Sequence, residues 1–265
     1  SVALVFVFSL PVSLDLHHYY LGQFPANVWH NSTTILAMPL VVLAFGSCCH
    51  FLSKPDVRVL LRLVLWSVLM YIIKPSFIPV LVVAFPLFTL FRFGFTKPLA
   101  ASLVYSLLLG LLLIFPLIFI SGGSDHRVEQ GGVEMALFKV WSLYSDNYLL
   151  SLVATLLFPL TCFLLYTKQA IKDDVLLFCW ACWVISFGMF ATINETGGFL
   201  RAGNFGWQVI MASYLLFLTS LVFFNKRIAE NASLGWKEKT IGAIFILHFV
   251  SGVFYLIKLM FLGYQ

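Results

Sequence analysis

The sequence predicts an all-α fold: a polytopic bundle of transmembrane helices, about nine spans in a single domain over residues 1–265. Three observations carry this prediction. Hydrophobic residues make up 61% of the chain and charged residues 10%, where a soluble domain holds roughly 45–50% and about 25%. The apolar runs are long enough to cross a hydrocarbon core of about 30 Å as helices, and they lack the strict alternation of a membrane barrel. Lysine and arginine also fall in alternate loops, as the positive-inside rule requires.

The first run, SVALVFVFSLPVSL at 1–14, has neither an initiator Met nor a basic flank. It reads as a span joined partway, and a further N-terminal piece is expected. Spans then follow at about 34–53, 59–73, 77–92, 98–121, 148–167, 175–193, 206–224 and 240–258. The pair at 59–73 and 77–92 is short and is divided only by Lys74-Pro75-Ser76, which fits two tilted helices or one broken helix. No internal repeat, long linker or low-complexity tract interrupts the series. All five cysteines, Cys48, Cys49, Cys162, Cys179 and Cys182, fall inside spans. The C-x-x-C spacing of Cys179 and Cys182 lacks a second pair, so packing is expected of it rather than redox or zinc chemistry.

Orientation follows from the basic residues. Lys54, Arg58, Arg62, Arg92, Lys97, Lys168, Lys172, Lys226, Arg227, Lys237 and Lys239, eleven in all, mark the cytoplasmic side. The intervening loops hold only Lys74, Arg127, Lys139 and Arg201, with Lys258 near the end of the last span. The formal charge of +5 is therefore a topology signal. Basic residues scattered singly give no reason to expect a nucleic-acid partner.

External loops are expected near 15–33, 122–147 and 194–205, and every chemically varied polar cluster falls in them or at Lys74-Pro75. Polar groups beside a membrane cost free energy unless paired, hydrated or used, so their gathering on one face points to a site there. Ordinary solvated loops are the alternative.

In DLHHYYLGQFPANVWHNSTTILAMPL, Asp15 with His17 or His18 has the chemistry of a general base or a cation site, and His30 and Asn31 add polar contacts for a substrate. No third spaced ligand accompanies them, so no metal site is assigned, and a divalent ion is left open. The tyrosines and Trp29 suit an interfacial belt. In SGGSDHRVEQGGVEMALFKVWSLYSDNY, the VEMALFKVWSLY part has apolar residues at helical spacing beside Glu134 and Lys139. It is expected to be an interfacial helix or re-entrant segment, either a lid over a lipid-borne substrate or a passive support. In NETGGFLRAGNFGWQ, Arg201 offers a planar fork for phosphate or carboxylate, Glu195 a carboxylate and Asn204 a polar contact; a structural Glu195–Arg201 pair is the alternative. Lys74 at the helix break is a point charge that can meet a phosphate or simply snorkel. Three triplets, at Asn31, Asn194 and Asn231, match the glycosylation pattern weakly.

VWHNSTTILAMPLVVLAF resembles the aromatic-Pro segment that opens an early helix in GT-C type glycosyltransferases, and YIIKPSFIPVLVVAFPLFTLFR resembles their short helix pair carrying Lys-Pro. With FKVWSLYSDNYLLSLVATLLFP and NETGGFLRAGNFGWQ, the chain is similar over most of its length to bacterial envelope proteins of that kind. The resemblance implies an integral-membrane enzyme of the bacterial inner membrane that takes sugar from a polyprenyl-phosphate donor at the outer face, in polysaccharide assembly. Such families place a catalytic Asp or Glu in the first external loop. Here the first visible external loop offers only Asp15, and the family's usual carboxylate is expected in the missing N-terminal piece. The catalytic set is then Asp15, His17, His18 and Glu195, with Lys74, Arg201, Asn204, His30 and Asn31 binding substrate.

A transporter or flippase, with a broken helix at Lys74-Pro75 lining a substrate path, is the reading from another class. It calls for inverted repeats and polar groups near the midplane, whereas this sequence gathers its polar groups at one membrane edge.

Overall fold

The computed structural model describes residues 2–10, 24, 26, 31–119, 132–143, 145, 147–196, 204–230 and 234–262. The chain is an all-α, membrane-type bundle. Among the described residues, seven helical stretches are long and apolar enough to cross a membrane. The helices are α1 (Ser32–Ser53), α2 (Val57–Ile73), α3 (Ile78–Phe93), α4 (Lys97–Phe119), α5 (Tyr148–Leu165), the single turn α6 (Thr167–Ala170), α7 (Asp174–Thr192), α8 (Gly206–Glu230) and α9 (Trp236–Leu262). Helix α2, of 17 residues, is not one of the seven, whereas α3 reaches span length together with the Pro75–Phe77 turn ahead of it.

Polar residues just ahead of the apolar runs start several of these helices. Asn31, Asp56, Asn147 and Asp173 each accept a backbone N–H of the following first turn, so donors that lipid cannot satisfy find a partner within the chain. Helix α3 ends on Gly94 with φ 63°, a left-handed cap open to glycine at no steric cost. Pro39, Pro86 and Pro159 lie inside α1, α3 and α5. The Thr89 hydroxyl donates to the Phe85 carbonyl at 2.7 Å, one turn back across the Pro86 step.

Side-chain pairs between distant helices fix which ends lie together. Arg92 at the end of α3 meets Asp174 at the start of α7 at 3.1 Å, and Lys226 late in α8 lies 3.9 Å from Asp173. Tyr166, which follows α5, donates its hydroxyl to the buried Glu238 in the first turn of α9, and Lys237 reaches the Leu165 carbonyl at 3.1 Å. These contacts place the C-terminal ends of α3, α5 and α8 with the N-terminal ends of α7 and α9, the pole that carries most of the basic residues. Lys74, at the end of α2, lies against Trp207 at the start of α8, so α2 ends at the opposite pole and α3 runs back from it: two helices meet at Lys74 rather than one broken helix. Ser67 of α2 bonds Tyr105 of α4 at 2.8 Å, and Trp183 of α7 donates to Ser213 of α8 at 2.9 Å. Among the aromatic contacts of the interior, Phe45 stacks on Phe178, and Phe85 stands edge-on to Tyr105.

Two expectations are corrected. The opening run is not an α-helical span over its described part. Val2–Phe6 is a 3-10 turn, and residues 7–10 continue as irregular backbone in which Val7, Phe8 and Ser9 are buried. Non-helical backbone at this depth survives because protein groups satisfy it. The Phe8 N–H donates to the His248 carbonyl at 3.2 Å, and the Leu10 N–H donates to the Ala154 carbonyl of α5 at 3.0 Å. His248 Nδ1 bonds the Phe8 carbonyl at 2.7 Å, and the Ser251 hydroxyl donates to the Ser9 carbonyl at 2.6 Å.

The second correction concerns VEMALFKVWSLY, which does not form the expected interfacial helix. It forms strand β1 (Val133–Met135), a turn, and a 3-10 helix at Trp141–Leu143. Strand β1 pairs antiparallel with β2 (Ile193–Glu195) in the register Val133 with Glu195, Glu134 with Asn194 and Met135 with Ile193. Phe138 turns the chain with φ 56°, which ends any helical continuation.

Candidate functional site

The pole opposite the basic loops holds the junctions α2–α3, α4–α5 and α7–α8 and the start of α1. Lys74 stands in extended backbone between α2 and the Pro75–Phe77 turn, because Pro75 disfavours helical geometry in the residue before it. Its ammonium lies over the indole of Trp207, 4.2 Å from the ring centroid. Trp207 is the second residue of α8, and its N–H donates to the Asn204 carbonyl at 3.3 Å. The Asn204 amide in turn donates to both carboxylate oxygens of Glu195, at 2.8 and 2.9 Å. Lys74, Trp207, Asn204 and Glu195 thus form one line of polar and aromatic contacts across three elements.

Lys74 is half-buried, and among the described residues its ammonium has no carboxylate partner. Burial pushes its pKa down from the ordinary lysine value. A cation held this way gains from an anion placed against it, since a charge-assisted hydrogen bond is stronger than the cation–π contact it replaces. Glu195 is the only carboxylate of the line, and Asn204 orients it with both oxygens engaged.

Beneath this line the β1–β2 ribbon is bolted down by Asn194. Its side chain is fully buried, donates to the Ala136 carbonyl and accepts from the Val140 N–H at 3.3 Å. Thr196 closes the ribbon, accepting the Gly132 N–H on its hydroxyl at 2.7 Å and donating its own N–H to the Gly132 carbonyl at 2.9 Å. Trp141 fills the space below, packed against Phe24, Phe138, Tyr148 and Phe187. Replacing Asn194 with Ala leaves the buried Val140 N–H and the partly buried Ala136 carbonyl unpaired. Thermal unfolding in detergent should show a loss of about 2–4 kcal/mol, taking about 1–3 kcal/mol for each partly compensated group. An unchanged midpoint would show that the ribbon does not depend on this side chain.

Of the residues expected at the site, the structure brings together Lys74, Glu195 and Asn204. Asn31 serves elsewhere, as the cap of α1: its side chain accepts from Thr34 N–H at 3.1 Å and from the Thr33 hydroxyl at 2.6 Å. Asp15, His17, His18, His30 and Arg201 lie outside the described residues, and with Arg201 so does a structural Glu195–Arg201 pair. Glu134, by contrast, pairs with Lys139. Two glycosylation triplets now have structural roles: Asn194 is buried and Asn31 is a cap. The third, at Asn231, lies outside the described residues. The five cysteines are unpaired, and the described residues contain no group of three or more His, Cys, Asp or Glu placed to hold a metal.

Sequence reasoning missed Trp207, Asn194 and His248. Trp207 sits three residues after Asn204, the i,i+3 signature of a helix start, and Asn194 stood out only as a glycosylation triplet. His248 and Ser251 interrupt an otherwise apolar run at helical spacing, a readable sign of a polar contact inside the bundle. His248 is the thirteenth of the 27 residues of α9, near its middle. A carbonyl oxygen can only accept, so the bond to Phe8 puts the ring proton on Nδ1, and Nε2 is buried without a partner among the described residues. Polar groups are therefore not confined to one edge, as the sequence suggested.

No protein family, curated protein or solved structure matches the chain.

Proposed function

We propose that the protein is an integral-membrane glycosyltransferase of the bacterial inner membrane that uses a polyprenyl-phosphate-linked sugar at the extracytoplasmic face. The observation that carries this reading is Lys74: a half-buried cation without a carboxylate partner among the described residues, at the pole poor in lysine and arginine, in line with an oriented carboxylate. Glycosyl transfer needs those two chemistries. A carboxylate takes the proton of the acceptor hydroxyl, whose oxygen attacks the anomeric carbon as the bond from that carbon to the phosphate oxygen breaks. Cations then hold the departing polyprenyl phosphate. In this reading Asp15 is the base with His17 or His18 assisting, Glu195 is the second carboxylate, and Lys74 and Arg201 face the phosphate. Asn204 and His30 complete the polar lining.

The transporter reading keeps one specific support, the His248–Phe8 contact near the middle of α9. Polar groups at that depth are the usual marks of a substrate or ion path.

One assay separates the two. Purified protein in liposomes receives labelled polyprenyl-phosphate sugars and lipid-linked acceptors, and the mixture is followed for a new glycoside. Product formation supports the transferase. Substrate crossing the bilayer with no product from any donor removes it.

Orientation is checked separately. A cysteine at the exposed Met135 should react with an impermeant thiol reagent in intact cells, while one at the exposed Lys172 should not. The reverse pattern would put the site on the cytoplasmic side.

A further inference from the structure

We propose that Trp207 is a sugar-binding platform uncovered by the phosphate of the same ligand, with Lys74 as the moving part. This rests on the transferase reading for the identity of the ligand, a phosphate-linked sugar. In the structure the Lys74 ammonium occupies one face of the indole at 4.2 Å. That face carries the negative lobe of the aromatic quadrupole, which attracts either a cation or the weakly positive C–H face of a sugar ring.

The ammonium is held there by the weaker of the interactions open to it. A phosphate offers a charge-assisted hydrogen bond, roughly twice as strong as a neutral one, and replaces the hydration that Lys74 has lost by burial. The four-carbon stem of lysine reorients at little cost, whereas the indole is fixed at the second position of a 25-residue helix whose first residue, Gly206, is buried. The Asn204–Glu195 pair stands three residues back along the chain from Trp207, so polar groups for the ring's hydroxyls flank the platform. A ligand with phosphate and sugar together then gains from both partners. One with phosphate alone moves Lys74 but leaves the indole face empty.

The test uses the full chain in phosphatidylcholine nanodiscs and measures affinity for polyprenyl phosphate with and without an attached sugar. Wild type should prefer the sugar-bearing lipid by about tenfold, the equivalent of one aromatic contact of about 1.4 kcal/mol. Trp207→Leu should lose that preference while keeping its affinity for bare polyprenyl phosphate. Trp207→Phe, which retains an aromatic face, should keep most of it and controls for misfolding. Lys74→Gln should weaken both lipids alike. Retention of the full preference by Trp207→Leu, or unchanged affinities in Lys74→Gln, would overturn the proposal. So would displacement of the sugar-bearing lipid by equimolar phosphatidylglycerol or by inorganic phosphate, since the site would then read charge alone. The two readings fail separately. A Trp207-dependent preference without any glycoside formed leaves the platform standing and removes the transferase, whereas glycoside formed at the wild-type rate by Trp207→Leu does the reverse.

Discussion

Gly252→Ala should detach residues 6–10 from α9 and destabilise the protein by more than about 4 kcal/mol. A Cβ on Gly252 would stand 1.5 Å from the Phe6 carbonyl oxygen and 2.6 Å from its carbon, both backbone atoms that no rotamer change can move. The backbone must shift by more than an ångström, and the shift breaks the ladder beside it: Phe8 N–H to the His248 carbonyl, His248 Nδ1 to the Phe8 carbonyl, and the Ser251 hydroxyl to the Ser9 carbonyl. Each buried group left unpaired costs about 1–3 kcal/mol, and no water is at hand to replace a partner in the membrane interior. The stacking of Phe8 on Tyr255 goes with it. Alanine is otherwise the better helix former by about 1 kcal/mol, so the same helix supplies its own control. A Cβ on Gly242 would meet nothing within 4 Å, and Gly242→Ala should be neutral or slightly stabilising. Thermal unfolding of the two variants in detergent, with amide exchange at Phe8 and Leu10, checks the difference. Equal midpoints would mean that the N-terminal stretch does not lie on α9.

On the proposed transferase reading, Asp15→Asn should lower glycosyl transfer by roughly two to four orders of magnitude while donor binding persists, because it preserves shape and hydrogen bonding but removes the proposed base. The comparison that gives this meaning is Glu195→Gln. Its amide oxygen still accepts from Asn204, so the α7–α8 junction should hold, and any loss of rate reports on the charge of the carboxylate. If Asp15 is the base, the Glu195 variant should lose less than about tenfold. Full activity in Asp15→Asn with the large loss in Glu195→Gln would transfer the role to Glu195. Measuring kcat and donor affinity separately in both variants distinguishes a missing base from a missing contact.

The span positions were legible because hydrophobicity is a property of short stretches. The runs read at 34–53, 175–193 and 206–224 lie within or very close to α1, α7 and α8. Ends were less legible. Helix α8 continues to Glu230 and α9 begins at Trp236, since a helix that leaves the apolar core loses its hydropathy signal but not its hydrogen bonds. Two segments misled for related reasons. Residues 2–10 are apolar enough for a span, yet their backbone is satisfied by α9 and α5, partners that lie far along the chain. The 133–143 segment has helical spacing, but ladder bonds to β2 and the Asn194 side chain override it.

At the candidate site, Lys74, Glu195 and Asn204 were legible one by one, as polar residues at breaks in apolar sequence. Their connection was not. It runs through Trp207, which the sequence offers only as one of seven tryptophans in a chain rich in aromatic residues.

The sequence by itself determined the class of the protein, the order of its helices and the division of its loops into a basic and a polar set, because each depends on composition within a window of about 20 residues. The tertiary structure decided which polar groups meet. Lys74 faces an indole instead of a carboxylate, Asn194 is a buried bolt, and His248 holds a carbonyl 240 positions away in the chain. Inside a bundle without water, every exposed donor and acceptor must find a partner in the protein, and that partner is set by the packing of helices rather than by proximity in sequence.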